Sequence, residues 1–244
     1  MEKNVEKFYS ELAADYDKVR TYTWGIDTFI DEMQRKIIFD FARKVKRDDV
    51  LELGCGTGRI TAPFAFSNRN SKITAVDISK NMLQQLGKKL KSLKIKNVSL
   101  KQGDVTKLPF KNESFDLVYS MRVIWHIKEY EKMISEINRV LKKGGTVVLD
   151  FPGKYGHWSI LHALFPARTK FKVPVYFFSY REVRSLLRKH GFKIKESRGL
   201  HTFLWPTSIL GNRIPKLYKW IESFVSLFSF RFSKYMMIKA VKVK

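Results

Sequence analysis

The stretch VLELGCGTGRIT, Val50 to Thr61, sets a carboxylate, Glu52, two residues ahead of three closely spaced glycines. Glycines let a ligand approach main chain with no Cβ in the way, and a helix starting behind them points its first N–H groups at that ligand. The spacing separates two ligands. The dinucleotide fingerprint G-x-G-x-x-G needs glycine at position 59, where Arg59 stands, and the third glycine comes one residue early, at Gly58. A carboxylate at Glu52 would oppose a pyrophosphate but can hold an ammonium group directly or through water. The pattern favours a zwitterionic ligand over a polyanionic one.

Further carboxylates fall where such a ligand needs them. KITAVDIS, Lys72 to Ser79, reads as a strand carrying Asp77 at its tip, 19 residues after Gly58. There Asp77 suits a ribose diol, although Asp77 or Ser79 could equally cap the next helix. VSLKQGDVTKLPF, Val98 to Phe110, is a third strand ending in Gly103-Asp104, where Asp104 can accept from an adenine amino group or act as a turn residue. FDLVYSM, Phe115 to Met121, reads as a fourth strand, and TVVLDF, Thr146 to Phe151, as a fifth announced by a Gly144-Gly145 turn.

With these five segments in order, the chain resembles the class I S-adenosylmethionine-dependent methyltransferases, in particular the type 11 group that includes the ubiquinone/menaquinone-pathway C-methyltransferases. The likeness runs through ELGCGTG, AVDIS, GDVTKLPF, FDLVYSMRVIWHI and LKKGGTVVLDF, about residues 45–151, and is fainter at ELAADYD, Glu11 to Asp17. It implies that Glu52, Gly54, Gly56, Thr57 and Gly58 hold the methionine end of S-adenosylmethionine and that Asp77 holds its ribose. It also implies Ile78 and Met82 as faces of the adenine slot, Asp104 and Val105 as edge contacts, and Ser120 with Met121 as the wall near the sulfonium. Tyr16 would cover the methionyl carboxylate.

The elements that must position these residues follow from periodicity. Helices are expected over about 3–19, 27–46, 58–66, 79–93 and 130–141, and a further one in SYREVRSLLRKHG ending at Gly191. Strands six and seven fall at Phe192 to Gly199 and Tyr235 to Val243. The resemblance implies a Rossmann-like, mostly parallel α/β sheet in order 3-2-1-4-5-7-6, the last strand antiparallel. The chain then divides into N-terminal helices (1–46), a cofactor-binding core (47–151) and two acceptor-side insertions (152–178 and 201–232) that form a helical, aromatic lid.

Length and composition fit one domain: 244 residues, 44% hydrophobic and 29% charged. The charged N-terminus has no apolar segment of a secretory signal, so a cytoplasmic location is expected. The single cysteine, Cys55, excludes an intrachain disulfide, and no zinc-like Cys/His spacing occurs, so no metal is expected.

The charge is lopsided. From residue 151 onward there are 19 Lys+Arg against 3 Asp+Glu, +16 of the chain's +24, and 19 of its 34 aromatics. Within this part, Ile214, Leu217, Tyr218, Ile221, Phe224, Val225 and Phe228 recur at helical spacing, with Lys216, Lys219, Arg231 and Lys234 around them. Such a stripe belongs either to a lid packed on the sheet edge or to a helix lying on an anionic membrane surface, on its inner face. It is too interrupted to span the ~20 residues of a bilayer crossing. The acceptor expected is therefore apolar or lipid-like. An RNA acceptor remains the alternative for a basic surface, though no stacking platform or RNA-binding module is visible. A non-catalytic relative that only binds the cofactor is a further alternative.

Methyl transfer from a sulfonium needs alignment and exclusion of water, and a general base only where the acceptor loses a proton. His126, at the end of MRVIWH, is the first candidate base, with capping or packing as its alternative; His157, His162 and His201 follow. Trp125, Trp158 and Trp205 are candidates to face a cation or an acceptor ring.

Overall fold

The computed structural model describes residues 3–18, 25–156, 159, 164, 173–200 and 233–243. His157, Trp158, His162, His201, Trp205 and the whole 201–232 insertion with its apolar stripe lie outside the described residues.

Seven strands form one sheet: β1 (Asp49–Leu53), β2 (Lys72–Asp77), β3 (Val98–Gln102), β4 (Phe115–Ser120), β5 (Leu141–Pro152), β6 (Phe192–Leu200) and β7 (Tyr235–Lys242). Their order is β3-β2-β1-β4-β5-β7-β6, as expected. β1 to β5 pair in parallel, and β7 is antiparallel to both β5 and β6. All parallel strands therefore end on one edge, where open α/β sheets take their ligands.

Both faces are covered. Val50, Ile73, Leu117, Tyr119 and Val148 meet Ile38 and Phe41 of α2 (Gly25–Ala42) and Phe64 of α3 (Thr61–Ser67). Leu51, Leu53, Val118, Val147 and Leu149 meet Ile134 and Ile137 of α5 (Tyr130–Val140) and Val183 and Leu187 of α6 (Tyr180–Lys189). Alternate residues on one strand serve opposite cores, which is why these strands read as near-continuous apolar runs. Between β2 and β3, α4 (Lys80–Ser92) joins Leu83, Leu86 and Leu90 to Cys55, Ala62 and Ala75.

Four boundaries differ from the sequence expectation. The helix expected over 3–19 breaks: α1 covers Lys3–Leu12, Ala13 to Asp15 turn, and helix resumes at Tyr16. In the resumed helix, just past the break, the Asp17 carboxylate receives the Thr57 hydroxyl (2.6 Å) and Lys89 (2.8 Å). α2 stops at Ala42 rather than 46, because the Arg47 guanidinium turns back to take the carbonyls of Ala42, Arg43 and Val45. α3 begins at Thr61 rather than 58, behind the glycine loop. β5 starts at Leu141 rather than Thr146, since Gly144-Gly145 forms an irregularity inside the strand: pairing jumps from Phe115↔Leu141 to Leu117↔Thr146.

Candidate functional site

A cavity enclosing about 830 Å³ of empty space, open solvent at its mouth included, sits at the carboxyl edge of β1, β2 and β4. α1 and the turn Ile124–His126 close it from the other side.

The glycine loop forms its floor. Gly54 has φ +69°, and a Cβ there would meet the Val123 side chain at 2.1 Å, so the loop lies directly on the turn after β4. Gly56 has φ +53° with nothing within 4 Å of its virtual Cβ, so a side chain would project into the space a ligand takes. The loop is held by Asp77, whose Oδ2 accepts from the Gly56 N–H (2.8 Å) while Oδ1 accepts from the Ser79 N–H (2.9 Å). Ser79 in turn caps α4 by accepting from the Met82 N–H. Capping and a ligand role coexist at this tip: a carboxylate has about four acceptor sites, and Asp77 also lines the cavity.

Glu52 also faces the cavity although only 4% exposed. Burial raises its carboxyl to about 7, against the opposing pull of hydrogen bonding, which includes the Tyr119 hydroxyl at 2.9 Å. A buried carboxyl so poised gains most from a cation brought beside it. Asp77 is likewise pushed up by burial, and the N–H groups of Ser79 and Gly56 pull it back. A ligand with an ammonium and a diol fits these two groups; a second pyrophosphate charge does not.

Of the other expected cofactor residues, Tyr16, Thr57 and Ile78 line the cavity, as do Met82, Val105 and Met121. Gly58, Asp104 and Ser120 are not among its lining residues. Ser120 donates its hydroxyl to the Leu53 carbonyl (2.9 Å), bracing β1 against β4. Asp104 Oδ1 accepts from both the N–H and the hydroxyl of Thr106 (2.8 Å each), the turn-residue arrangement. Burial pushes Asp104 up, but these bonds outweigh it and hold the carboxyl below its ordinary value.

His126 lines the acceptor side of the cavity and is 6% exposed. Its Nδ1 lies 2.7 Å from the Pro174 carbonyl, which can only accept, so Nδ1 carries the hydrogen and Nε2 the lone pair. Nε2 lies 3.0 Å from the Tyr9 hydroxyl. Burial lowers the imidazole's pKa, with the Pro174 carbonyl acting the other way, so the ring is neutral at pH 7. Pro174 belongs to the described end of the 152–178 insertion, where Tyr176 N donates to the Trp125 carbonyl and Phe178 N to the Pro152 carbonyl. Trp125 packs against His126 and Tyr235 rather than lining the cavity.

Several lining residues escape sequence reasoning: Val5 and Tyr9 from α1, Arg59, Arg122, Val123 and Ile127. Arg59 and Arg122 both pair with Asp31 (2.8 and 2.7 Å). The Arg122 N–H donates to Asp150 Oδ1 (2.7 Å), and Gln34 donates to Oδ2 (3.2 Å). Arg122 has φ +59°, a conformation uncommon outside glycine, and its main chain is pinned there by that bond. The fourth strand's expected extension to Met121 ends at this turn.

Exposed Arg184, Arg188, Lys193 and Lys195 line a groove along α6 and the start of β6. Because β6 runs parallel to β5, that start lies at the opposite edge of the sheet from the cavity. These four positive charges thus lie away from the cavity. Among the described residues there is no cluster of three metal-ligating side chains and no helix long and apolar enough to cross a membrane.

Residues 51–149 match the family described as a methyltransferase domain. A demethylmenaquinone methyltransferase of Alkalihalophilus pseudofirmus is 34% identical over 143 residues, 58% of this chain and 56% of that protein, so the match spans little more than half of that relative. An uncharacterized protein of Methanocaldococcus jannaschii is 32% identical over 185 residues, 76% of this chain and 80% of its own length. Magnesium protoporphyrin IX methyltransferase from Synechocystis PCC 6803, solved with bound SAH, superposes with a TM-score of 0.70 at 17% identity over 98% of each chain, a likeness of fold. By its match over residues 51–149 this chain belongs to the methyltransferase-domain family, and its cavity suits a zwitterionic nucleoside such as S-adenosylmethionine.

Proposed function

We propose that the protein transfers a methyl group from S-adenosylmethionine to an apolar, lipid-like small-molecule acceptor. The observation that carries this reading is the change in character along one cavity: carboxylates at the glycine loop, then a wall of Val5, Tyr9, Val123 and Ile127 with the neutral His126. Such a wall suits a hydrophobic ring or tail rather than a phosphate backbone. The relatives named for demethylmenaquinone agree with an acceptor of that kind.

When bound, the cofactor supplies a methyl group already activated on a sulfonium. The chain's tasks are then to hold the ammonium with Glu52, orient the ribose with Asp77, and exclude water with α1. α1 is tied down at and just beyond its C-terminal end. The Ser10 hydroxyl meets that of Ser79 (2.8 Å), Asn81 donates to the Ser10 carbonyl (3.1 Å), and Asp17 grips Thr57 and Lys89 beyond the helix.

The test is incubation with methyl-labelled donor and, separately, demethylmenaquinol in detergent micelles and transfer RNA. Label is expected in the quinol. Label in the RNA with none in the quinol would put an RNA methyltransferase in place of this reading. We further propose a cytoplasmic location with contact to the membrane's anionic inner face through the 214–230 stripe; sedimentation with anionic vesicles should be lost in Phe224→Asp/Phe228→Asp. A wild type that ignores such vesicles would remove that part alone.

A further inference from the structure

Tyr9 and His126 are 117 residues apart in sequence, yet their hydroxyl and Nε2 meet at 3.0 Å on the acceptor wall, and both line the cavity. The meeting is held from both sides. Tyr9 packs edge-on against Phe8 and Tyr16, with ring centroids 5.2 and 6.1 Å away, on a helix anchored independently through Ser10. His126 is fixed by Pro174 at 2.7 Å and by the Trp125 ring, 5.1 Å between centroids. Since Nδ1–H is committed to a carbonyl, Nε2 is the acceptor in this pair and Tyr9 the donor. Tyr9, the donor, and His126 both line the cavity.

We propose that the Tyr9 hydroxyl and the His126 imidazole form a two-step proton relay on the acceptor wall, so that the acceptor methylated here gives up a proton from oxygen or an acidic carbon. The inference rests on the methyltransferase reading above and narrows its acceptor. As the acceptor's new bond to the methyl carbon forms, its own O–H or C–H bond breaks and the proton passes to the Tyr9 oxygen. The Tyr9 proton passes to His126 Nε2, and the electron pair of the broken sulfur–carbon bond stays on sulfur as a neutral thioether. The resulting imidazolium is stabilised by the Pro174 carbonyl and returns its proton to solvent when the site opens.

The surroundings favour a ring that starts neutral and accepts a proton transiently. From the N-terminal segment His126 faces the Tyr9 hydroxyl, with Tyr16 behind it; from the 152–178 segment, the Pro174 carbonyl. Glu52, Asp77, Arg59 and Arg122 line the same cavity, but burial and the Pro174 carbonyl are what set the imidazole's pKa. Among the described residues no carboxylate is paired with the ring, so it is available as a base at neutral pH.

Two measurements test the relay, one without any acceptor. In the first, ¹⁵N-histidine-labelled protein saturated with S-adenosylhomocysteine is compared with Tyr9→Phe. The Nε2 resonance of His126 should move to the value of a lone pair without a donor, while Nδ1–H persists; an unmoved Nε2 overturns the proposal. In the second, demethylmenaquinol in micelles is the acceptor probe. Tyr9→Phe should lower kcat about 100-fold, the usual size of a general-base contribution, with KM and S-adenosylhomocysteine affinity within about threefold. The wild-type profile should lose kcat on the acid side, below the ordinary imidazole range, and His126→Asn should abolish that limb. Tyr9→Phe keeping wild-type kcat within about threefold would overturn the relay and leave the methyltransferase reading standing. A wild type that binds S-adenosylhomocysteine but leaves the quinol unmethylated overturns the lipid-acceptor reading, and the relay is then decided by the Nε2 resonance alone.

Discussion

The two ends of the cavity differ in how far along the chain their contacts reach. At the cofactor end, Gly56 donates to Asp77 across 21 residues, and the helix cap at Ser79 closes the same corner within three. At the acceptor end, Tyr9 reaches His126 across 117 residues, and His126 reaches Pro174 across 48. One end is built by loops that follow parallel strands and must emerge side by side. The other exists only where the sheet, α1 and the segment at Pro174 come together from distant parts of the chain. A local motif can encode the first end, whereas the second depends on the whole topology.

If that contrast holds, damage at the loop should be severe and local. Gly54→Val adds a branched side chain at φ +69° where even a Cβ would lie 2.1 Å from Val123. The combined strain and overpacking should destabilise the protein by about 4 kcal/mol. Urea unfolding measures it, and Val123→Ala added to it should recover the steric part but not the backbone part.

A pH dependence comes next in size. Burial raises Glu52 from 4.5 unfolded to about 7 folded, so its carboxyl is more easily kept neutral in the folded chain. Its stabilising contribution is therefore complete below the unfolded value and is lost as pH rises through about 7. The lost contribution is on the order of 3 kcal/mol. The stability difference between wild type and Glu52→Gln, free of ligand, should shrink in favour of the variant between those limits and level off above them. A flat difference would mean that Glu52 is not held neutral, and with it the ammonium argument would weaken.

Asp77→Ala should cost about 2 kcal/mol of S-adenosylhomocysteine affinity, since it leaves the ligand's diol and the Gly56 N–H without an acceptor. Unchanged affinity in fluorescence titration would remove the ribose role. The smallest effect is expected at the α1 anchor: Ser10→Ala deletes one hydroxyl contact to Ser79 and should weaken binding by under about 1 kcal/mol. It should leave the acid limb of kcat in place, because it does not touch the Tyr9–His126 pair.

The same contrast sets what the sequence reveals. The lining positions of Glu52 and Asp77 and the Ser79 cap follow from strand-tip chemistry, a local property, whereas the strand order and the lining positions of Ile78, Met82, Val105 and Met121 come from the family resemblance that such local motifs carry. Asp104 could not be settled that way, because a turn residue and an adenine partner look alike until Thr106 is seen occupying Oδ1. Tyr9 sits in KFYSEL, a helix whose amphipathic pattern says that one face is buried but not against what. Arg59 and Arg122 are likewise explained only by Asp31, which α2 carries in from an earlier part of the chain. The start of β5 at Leu141 is hidden in sequence because Gly144-Gly145 resembles a turn, and only pairing with β4 shows the strand continuing through it.

The central claim is that the glycine loop and its two carboxylates hold a zwitterionic nucleoside and reject a dinucleotide. Isothermal titration of the wild-type protein at pH 7.5 with S-adenosylhomocysteine and, separately, with NAD addresses it directly. The account predicts saturable one-to-one binding of S-adenosylhomocysteine and no measurable binding of NAD. Binding of NAD with comparable affinity, or none of S-adenosylhomocysteine by folded protein, would contradict it.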